Sequence, residues 1–192
     1  MNMAFARLNA AARLPSLKDL EFVAGALVVM AVLALPVRNF LEPCAPPQLR
    51  KVCLTLVRCA IFPCIVEEAF WRVLLLPNAN MDGGGTTWGM LGQMTFMQWL
   101  YACTCLTLFV LCHIPSGYAL ARLGALKDGG RTFSDPRFLW LALVLGMACS
   151  LVYLATGSLW ASVLVHWFPV SLWLLLLGGE QRLRRDADSP SP

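Results

Sequence analysis

The sequence predicts an all-α, multi-pass membrane protein: a conical bundle of about five transmembrane helices closed around buried glutamates and histidines. Three observations predict it. The chain is 58% hydrophobic and 14% charged, with a mean hydropathy of +0.66, whereas soluble domains are about 45–50% apolar and about 25% charged. Apolar runs recur at close to the ~20 residues that cross a bilayer as a helix. Such runs must be helices, because an open strand leaves its backbone unsatisfied in lipid.

Taken in order, the 192 residues divide into an N-terminal interfacial or flexible segment (1–20), one membrane domain (21–178) and a disordered polar tail (179–192). Residues 1–18 are free of acids and carry Arg7, Arg13 and Lys18. They read as an interfacial helix, a weak organelle-targeting segment or a loosely ordered lead-in. Residues 22–40 form the first expected span, with Pro36 near its end, and residues 43–47 (PCAPP) a stiff turn. Residues 52–76 form the second, preceded by Arg50 and Lys51 and interrupted by Arg58. Residues 78–87 (NANMDGGGTT) are a Gly-rich connector or lid. They lack the lysine and following Ser/Thr of a phosphate-binding loop. Residues 91–120 are the third span and are longer than one crossing needs. Residues 127–136 are a polar loop, and residues 138–155 the fourth span. The short link at 155–158 predicts an antiparallel hairpin with the fifth span, residues 159–177. The tail is polar and rich in Pro and Ser.

Lys and Arg in short loops set orientation. Arg38, Arg50, Lys51 and Arg58 flank the first loop. Arg122, Lys127, Arg131 and Arg137 follow span three, and Arg182, Arg184 and Arg185 lie in the tail. With five spans these regions share one side. The expectation is an integral protein of the cell (inner) membrane with a cytoplasmic tail. Arg7, Arg13 and Lys18 then start on the far side, a conflict that an interfacial N-terminal helix softens.

The eight cysteines include no CxxC pair, and most lie in or beside apolar runs. They read as small buried hydrophobes; a disulfide framework would need exposed loops in an oxidising space. The lipid bilayer is the expected partner. No basic patch with interleaved aromatics points to nucleic acid.

The buried polar chemistry reduces to Glu67, Glu68, Arg72, His113 and His166. A charged side chain at the centre of a membrane helix costs roughly 2.5–3.5 kcal/mol on insertion scales and is functional more often than structural. Glu67 lies nine residues beyond Arg58, and His113 nine before Arg122. At ~1.5 Å per residue, both sit ~13–14 Å above the cationic edge. His166 lies twelve residues before Gly178, or ~18 Å by the same rise. The depths agree within about one helical turn. Glu68 and Arg72 stack at i, i+4, whereas Glu67 points about 100° away. This divides the acids into a structural pair, Glu68–Arg72, and a working carboxylate, Glu67. The plainer alternatives are a Glu–Arg packing device and hydrogen-bonded core histidines.

Glu67-Glu68-Ala69-Phe70-Trp71-Arg72 fits the pattern EExxxR, and Phe109-Val110-Leu111-Cys112-His113 fits FxxxH. Gly157-Ser158-Leu159-Trp160 leads into a late helix carrying His166. In this order, each on its own span, the chain resembles the CAAX-protease and bacteriocin-processing family (CPBP, also called Abi) of glutamic intramembrane peptidases. The resemblance covers roughly residues 60–178. It implies that Glu67 and His113 activate a water, that His166 stabilises the oxyanion, and that Glu68, Arg72 and Phe109 support them. It implies no cofactor and no metal. The implied substrate is a membrane-associated peptide or protein, prenylated ones included. The last motif normally places Asn or another polar residue four after the histidine, and here that residue is Val170. Trp167, Ser162 and Ser171 are the candidate substitutes for the missing oxyanion donor.

The residues also stand by themselves. Loss of water around a carboxylate favours its protonated form, which suits a general base near neutral pH, and an imidazole can stabilise an oxyanion. Three other readings share the sequence. Two histidines and a carboxylate can hold a catalytic zinc, although HExxH is absent. A non-catalytic membrane scaffold would explain Val170. A proton-relaying transporter would use the buried acids, but the chain lacks the internal repeat usual in transporters.

Overall fold

The computed structural model describes residues 3–45, 47–77, 94–127 and 129–184. Among these residues every regular element is helical and none is a strand. In chain order they are α1 (Met3–Ala11), α2 (Leu17–Ala34, continued by a 3₁₀ segment Leu35–Phe40), α3 (Leu49–Cys59), α4 (Phe96–Arg122), α5 (Gly129–Ser134), α6 (Pro136–Thr156), α7 (Leu159–Leu176) and α8 (Gly179–Arg184). The Gly-rich connector at 78–87 and the tail from 185 lie outside the described residues.

Local chemistry sets the boundaries. Ser16 and Asp19 form a reciprocal capping box on α2, as do Thr95 and Gln98 on α4, each satisfying backbone donors the helix start would leave open. Asp135 caps α6 and Ser158 caps α7. Gly157 ends α6 with φ +63°, a left-handed conformation that glycine adopts without Cβ strain. That turn folds α7 back beside α6, making the expected hairpin.

Among the described residues four helices are long and apolar enough to cross a membrane: Leu17–Phe40, Phe96–Arg122, Pro136–Thr156 and Leu159–Leu176. The expectation of five regular spans is corrected at the second one. After α3 the chain runs through wide turns at Ala60–Ile65 and Ala69–Leu74, with only Val66–Glu68 in ordinary helix between them. Pro63 lacks an N–H, so it cannot continue the hydrogen-bond ladder, and Phe62 becomes extended (φ −139°, ψ 117°). The acids therefore sit on a short turn inside a broken helix.

Two further differences concern the flanks. The polar loop at 127–136 contains α5, and the tail expected to be disordered from 179 begins as α8. Helix α8 docks on the end of the bundle: Arg182 pairs with Glu42, Lys51 Nζ lies 2.9 Å from Glu180, and the Lys127 N–H donates to Leu183 O at 3.1 Å. Arg137 and Arg182 both lie over the Phe40 ring, at 5.4 and 4.3 Å. The first loop, the foot of α3, the α4–α6 connection and α8 thus meet at one end.

The opposite end is closed by α1. Arg7 donates to the carbonyls of Val73 and Leu76, and Arg13 to Thr156 O and, at 3.0 Å, to Asp19. Carbonyls at a helix C-terminus lack intrahelical donors, and these arginines supply them. Arg7 and Arg13, two of the three cations that precede the first span, are engaged in this way.

One buried cluster joins Cys59, Cys64, Val73, Tyr153 and Val163; a second joins Val23, Met30, Val144, Cys149 and Val165. Large apolar side chains face outward along the helices, among them Val28, Val57, Phe62, Leu108 and Leu111, as a lipid-facing surface requires. Cys53 and Cys103 share that surface, so the expectation that the cysteines are buried hydrophobes fails for these two.

Candidate active site

The site is built on α7. Ser162 and His166 are one turn apart and share a face. Both reach Glu68, which is completely buried. The Ser162 hydroxyl donates to Glu68 Oε2, and His166 Nδ1 lies 2.8 Å from Glu68 Oε1. A carboxylate only accepts, so Nδ1 carries the proton. Arg72 adds charge, with Nε 3.4 Å from Oε2, but that Nε makes no hydrogen bond. Its directed bond instead runs from Nη2 to Gly146 O at 3.2 Å. Glu68 is therefore more than the partner of Arg72: it orients His166, a role the i, i+4 argument did not contain. The network ties the Val66–Glu68 turn to α7 and, through Gly146, to α6.

Phe109 of α4 is the centre of the aromatic packing and is fully buried. Arg72 lies 4.7 Å above its ring centroid. His113 lies edge-on at 4.9 Å, Trp71 at 5.9 Å and His166 at 6.4 Å. A Cβ at position 146 would come within 2.7 Å of the Phe109 ring, so α6 approaches this closely only because the residue is glycine. Gly146 was not among the expected site residues. A glycine inside an apolar span was its only signal.

His113 bonds through Nδ1 to the carbonyl of Phe109 at 2.8 Å. A carbonyl cannot donate, so the proton is on Nδ1 and a neutral His113 keeps a lone pair on Nε2. Phe133 and Phe138 pack on the same imidazole, at 6.1 and 5.6 Å.

Glu67 is half-buried, and its Oε2 is buried with no hydrogen-bond partner. Both His166 and His113 lie within electrostatic reach of its carboxylate. Glu67, His113 and His166 come from three separate segments, and the two histidines pack on the same Phe109 ring. Unpaired buried polar atoms are uncommon, and an unpaired carboxylate oxygen can accept a hydrogen bond or a proton.

The substitutes for the missing donor separate clearly. Trp167 Nε1 donates to Leu56 O at 2.9 Å, and Ser162 donates to Glu68. Ser171 is buried and its hydroxyl has no hydrogen-bond partner. Val170 packs against the cluster containing Cys59 and Cys64.

Ligand atoms of Glu68, Cys149 and His166 lie within 4.8 Å of one another. This group does not fit a metal ion. Arg72 already supplies the cation to Glu68, and His166 directs its Nδ1 proton at the same carboxylate.

The family model described as Type II CAAX prenyl endopeptidase Rce1-like matches residues 49–170. That stretch is well over half of the chain and carries Glu67, Glu68, Arg72, Phe109, His113 and His166. The chain belongs to this family. It is an integral membrane protein with the general role of a CAAX-type intramembrane protease, acting on peptide or protein substrates at the membrane. No curated protein and no solved structure matches it.

Proposed function

We propose that the protein is a glutamic intramembrane endopeptidase in which Glu67 and His113 activate the hydrolytic water. The observation that carries this reading is the Glu67 carboxylate, with a buried unpaired oxygen beside two histidines whose Nδ1 atoms are already engaged. Glu67 takes a proton from water as the oxygen attacks the scissile carbonyl. The lone pair of His113 Nε2 holds that water, and the protonated Glu67 then delivers its proton to the leaving amine. His166 faces the developing oxyanion with Nε2. It donates there as the imidazolium, which the Glu68 carboxylate stabilises through Nδ1, as an orienting carboxylate does in a catalytic triad. Ser171 is the second donor, the one candidate among three that gives no hydrogen bond to a protein oxygen, although the Cys59 thiol lies near its hydroxyl. Substrates are membrane-anchored peptides or proteins, prenylated ones included. The protein lies in the cell membrane with its cationic end and tail cytoplasmic.

A test is turnover of a fluorogenic, farnesylated peptide by protein reconstituted in liposomes. Glu67→Gln should abolish turnover while the protein remains folded. Undiminished turnover in the purified variant would end this reading.

A zinc-dependent reading uses the same residues. Acceptors on both Nδ1 atoms are also what metal-bound histidines use, leaving two Nε2 atoms and Glu67 as ligands. Activity that survives exhaustive chelation excludes it. A scaffold without catalysis predicts no turnover in the wild type.

A further inference from the structure

Cys59 and Cys64 lie outside the proposed mechanism but beside it. Their sulfurs are 3.7 Å apart, and both residues are buried, at 3% and 0% exposure. Residues five apart on an α-helix diverge by roughly 140° at 100° each. Between them Phe62 is extended and interrupts the helix, so the helical count does not hold and the two thiols meet across the break. The same break that places the acids therefore creates the thiol pair. Ser171 and His166 lie close enough to Cys59 to influence its thiol, and Glu67 acts on both cysteines. Cys64 is three residues before Glu67, a neighbouring position on the helix surface.

We infer that Cys59 and Cys64 form a redox-sensitive dithiol, oxidised to a disulfide by an apolar hydroperoxide of the lipid class, and that closing it stops turnover at Glu67. The inference of lost turnover rests on the peptidase reading above; the dithiol does not. One thiol attacks the terminal peroxide oxygen, breaking the O–O bond, giving a sulfenic acid and releasing an alcohol. The second thiol displaces the hydroxyl as water and the S–S bond forms. Two electrons pass from the sulfurs to the peroxide. The oxidant is apolar because the surface beside the thiol pair is apolar, with Ile61 and Phe62 facing outward on the lipid side.

The consequence follows from geometry. A disulfide requires a sulfur separation of about 2.05 Å, so the pair must draw together from 3.7 Å. The turn carrying Glu67 follows Cys64 directly and shifts with it. A displacement of about 1 Å at a reacting group can cost roughly 10²-fold in rate.

The experiment treats the full-length protein in nanodiscs with cumene hydroperoxide, alkylates the remaining thiols and maps them by mass spectrometry alongside peptide turnover. The expected result is a Cys59–Cys64 crosslink ahead of oxidation at the exposed Cys53 and Cys103. Turnover should fall about 10²-fold and return with dithiothreitol. The double variant Cys59→Ala, Cys64→Ala should keep its turnover in peroxide. Alkylation of Cys59 and Cys64 as free thiols while Cys53 or Cys103 is oxidised would overturn the proposal, and so would a complete crosslink with unchanged turnover. Absence of turnover in the reduced wild type would refute the peptidase reading and the loss of turnover with it, and the crosslink alone would then decide the dithiol.

Discussion

Replacing Arg72 by alanine tests whether the Glu68 network holds the bundle together. Arg72 is 1% exposed and Glu68 is completely buried. The substitution removes the ion pair at 3.4 Å, the bond to Gly146 O at 3.2 Å and the cation over Phe109 at 4.7 Å. It leaves Glu68 charged in the interior with only Ser162 and His166 as partners. Breaking one side of a buried pair costs about 3–5 kcal/mol. A chain of this size loses about 2–4 °C of melting temperature per kcal/mol, so the expected drop is about 6–20 °C. Glu67→Gln orphans no partner, because its buried oxygen has none, and should shift stability by no more than about 1 kcal/mol. The assay is thermal unfolding of both variants in the same detergent. Arg72→Ala melting within about 2 °C of wild type, less than the loss of 1 kcal/mol would give, would refute the idea that Glu68 depends on Arg72. So would a larger loss in Glu67→Gln.

Three other expectations concern the oxyanion, pH and orientation. Ser171→Ala should lower kcat by about 10²-fold, the usual worth of one oxyanion donor. Val170→Asn, one helical turn beyond His166, should leave wild-type turnover unchanged or raised and restore part of that loss; a folded but inactive Val170→Asn would show that Val170 packs against the substrate instead. Asp135 caps α6, and the Arg137 side chain, hydrogen-bonded to it, holds its carboxyl below the usual value. A depressed folded-state value stabilises the protein above the unfolded value of about 3.9, and the benefit is lost as pH falls through the folded one. Asp135→Ala should therefore cost about 1 kcal/mol of cap at neutral pH, and its melting difference from wild type should shrink below about pH 4; a constant difference would assign the loss to the helix cap alone. Cysteines placed at Lys127 and Ser189 in a cysteine-free background should label from the same, cytoplasmic face, and labelling from opposite faces would overturn the proposed orientation.

Much of the site was legible because a membrane makes polar residues conspicuous. Glu67, Glu68, Arg72, His113 and His166 stood out against apolar runs, and counting residues from the cationic edge gave them a common depth. The helix starts were not read: hydropathy placed them at 22 and 91, whereas the capping boxes of Ser16 with Asp19 and Thr95 with Gln98 set them at Leu17 and Phe96. Nor was the break at Phe62, since hydropathy reads straight through Pro63.

The amino-acid sequence by itself determined the membrane class, most spans, the short hairpin at Gly157 and the polar residues proposed for the site. These follow from local composition and periodicity, which need no knowledge of neighbours. Only the tertiary structure decided which partners those residues take. Helical spacing pairs Glu68 with Arg72, but its nearest partners, Ser162 and His166, come from a helix 94 and 98 residues away. Arg72 sends its hydrogen bond to Gly146, and Trp167 sends its own to Leu56. A donor's choice among acceptors depends on distance and direction across packed helices, and the order of residues along one chain does not contain either.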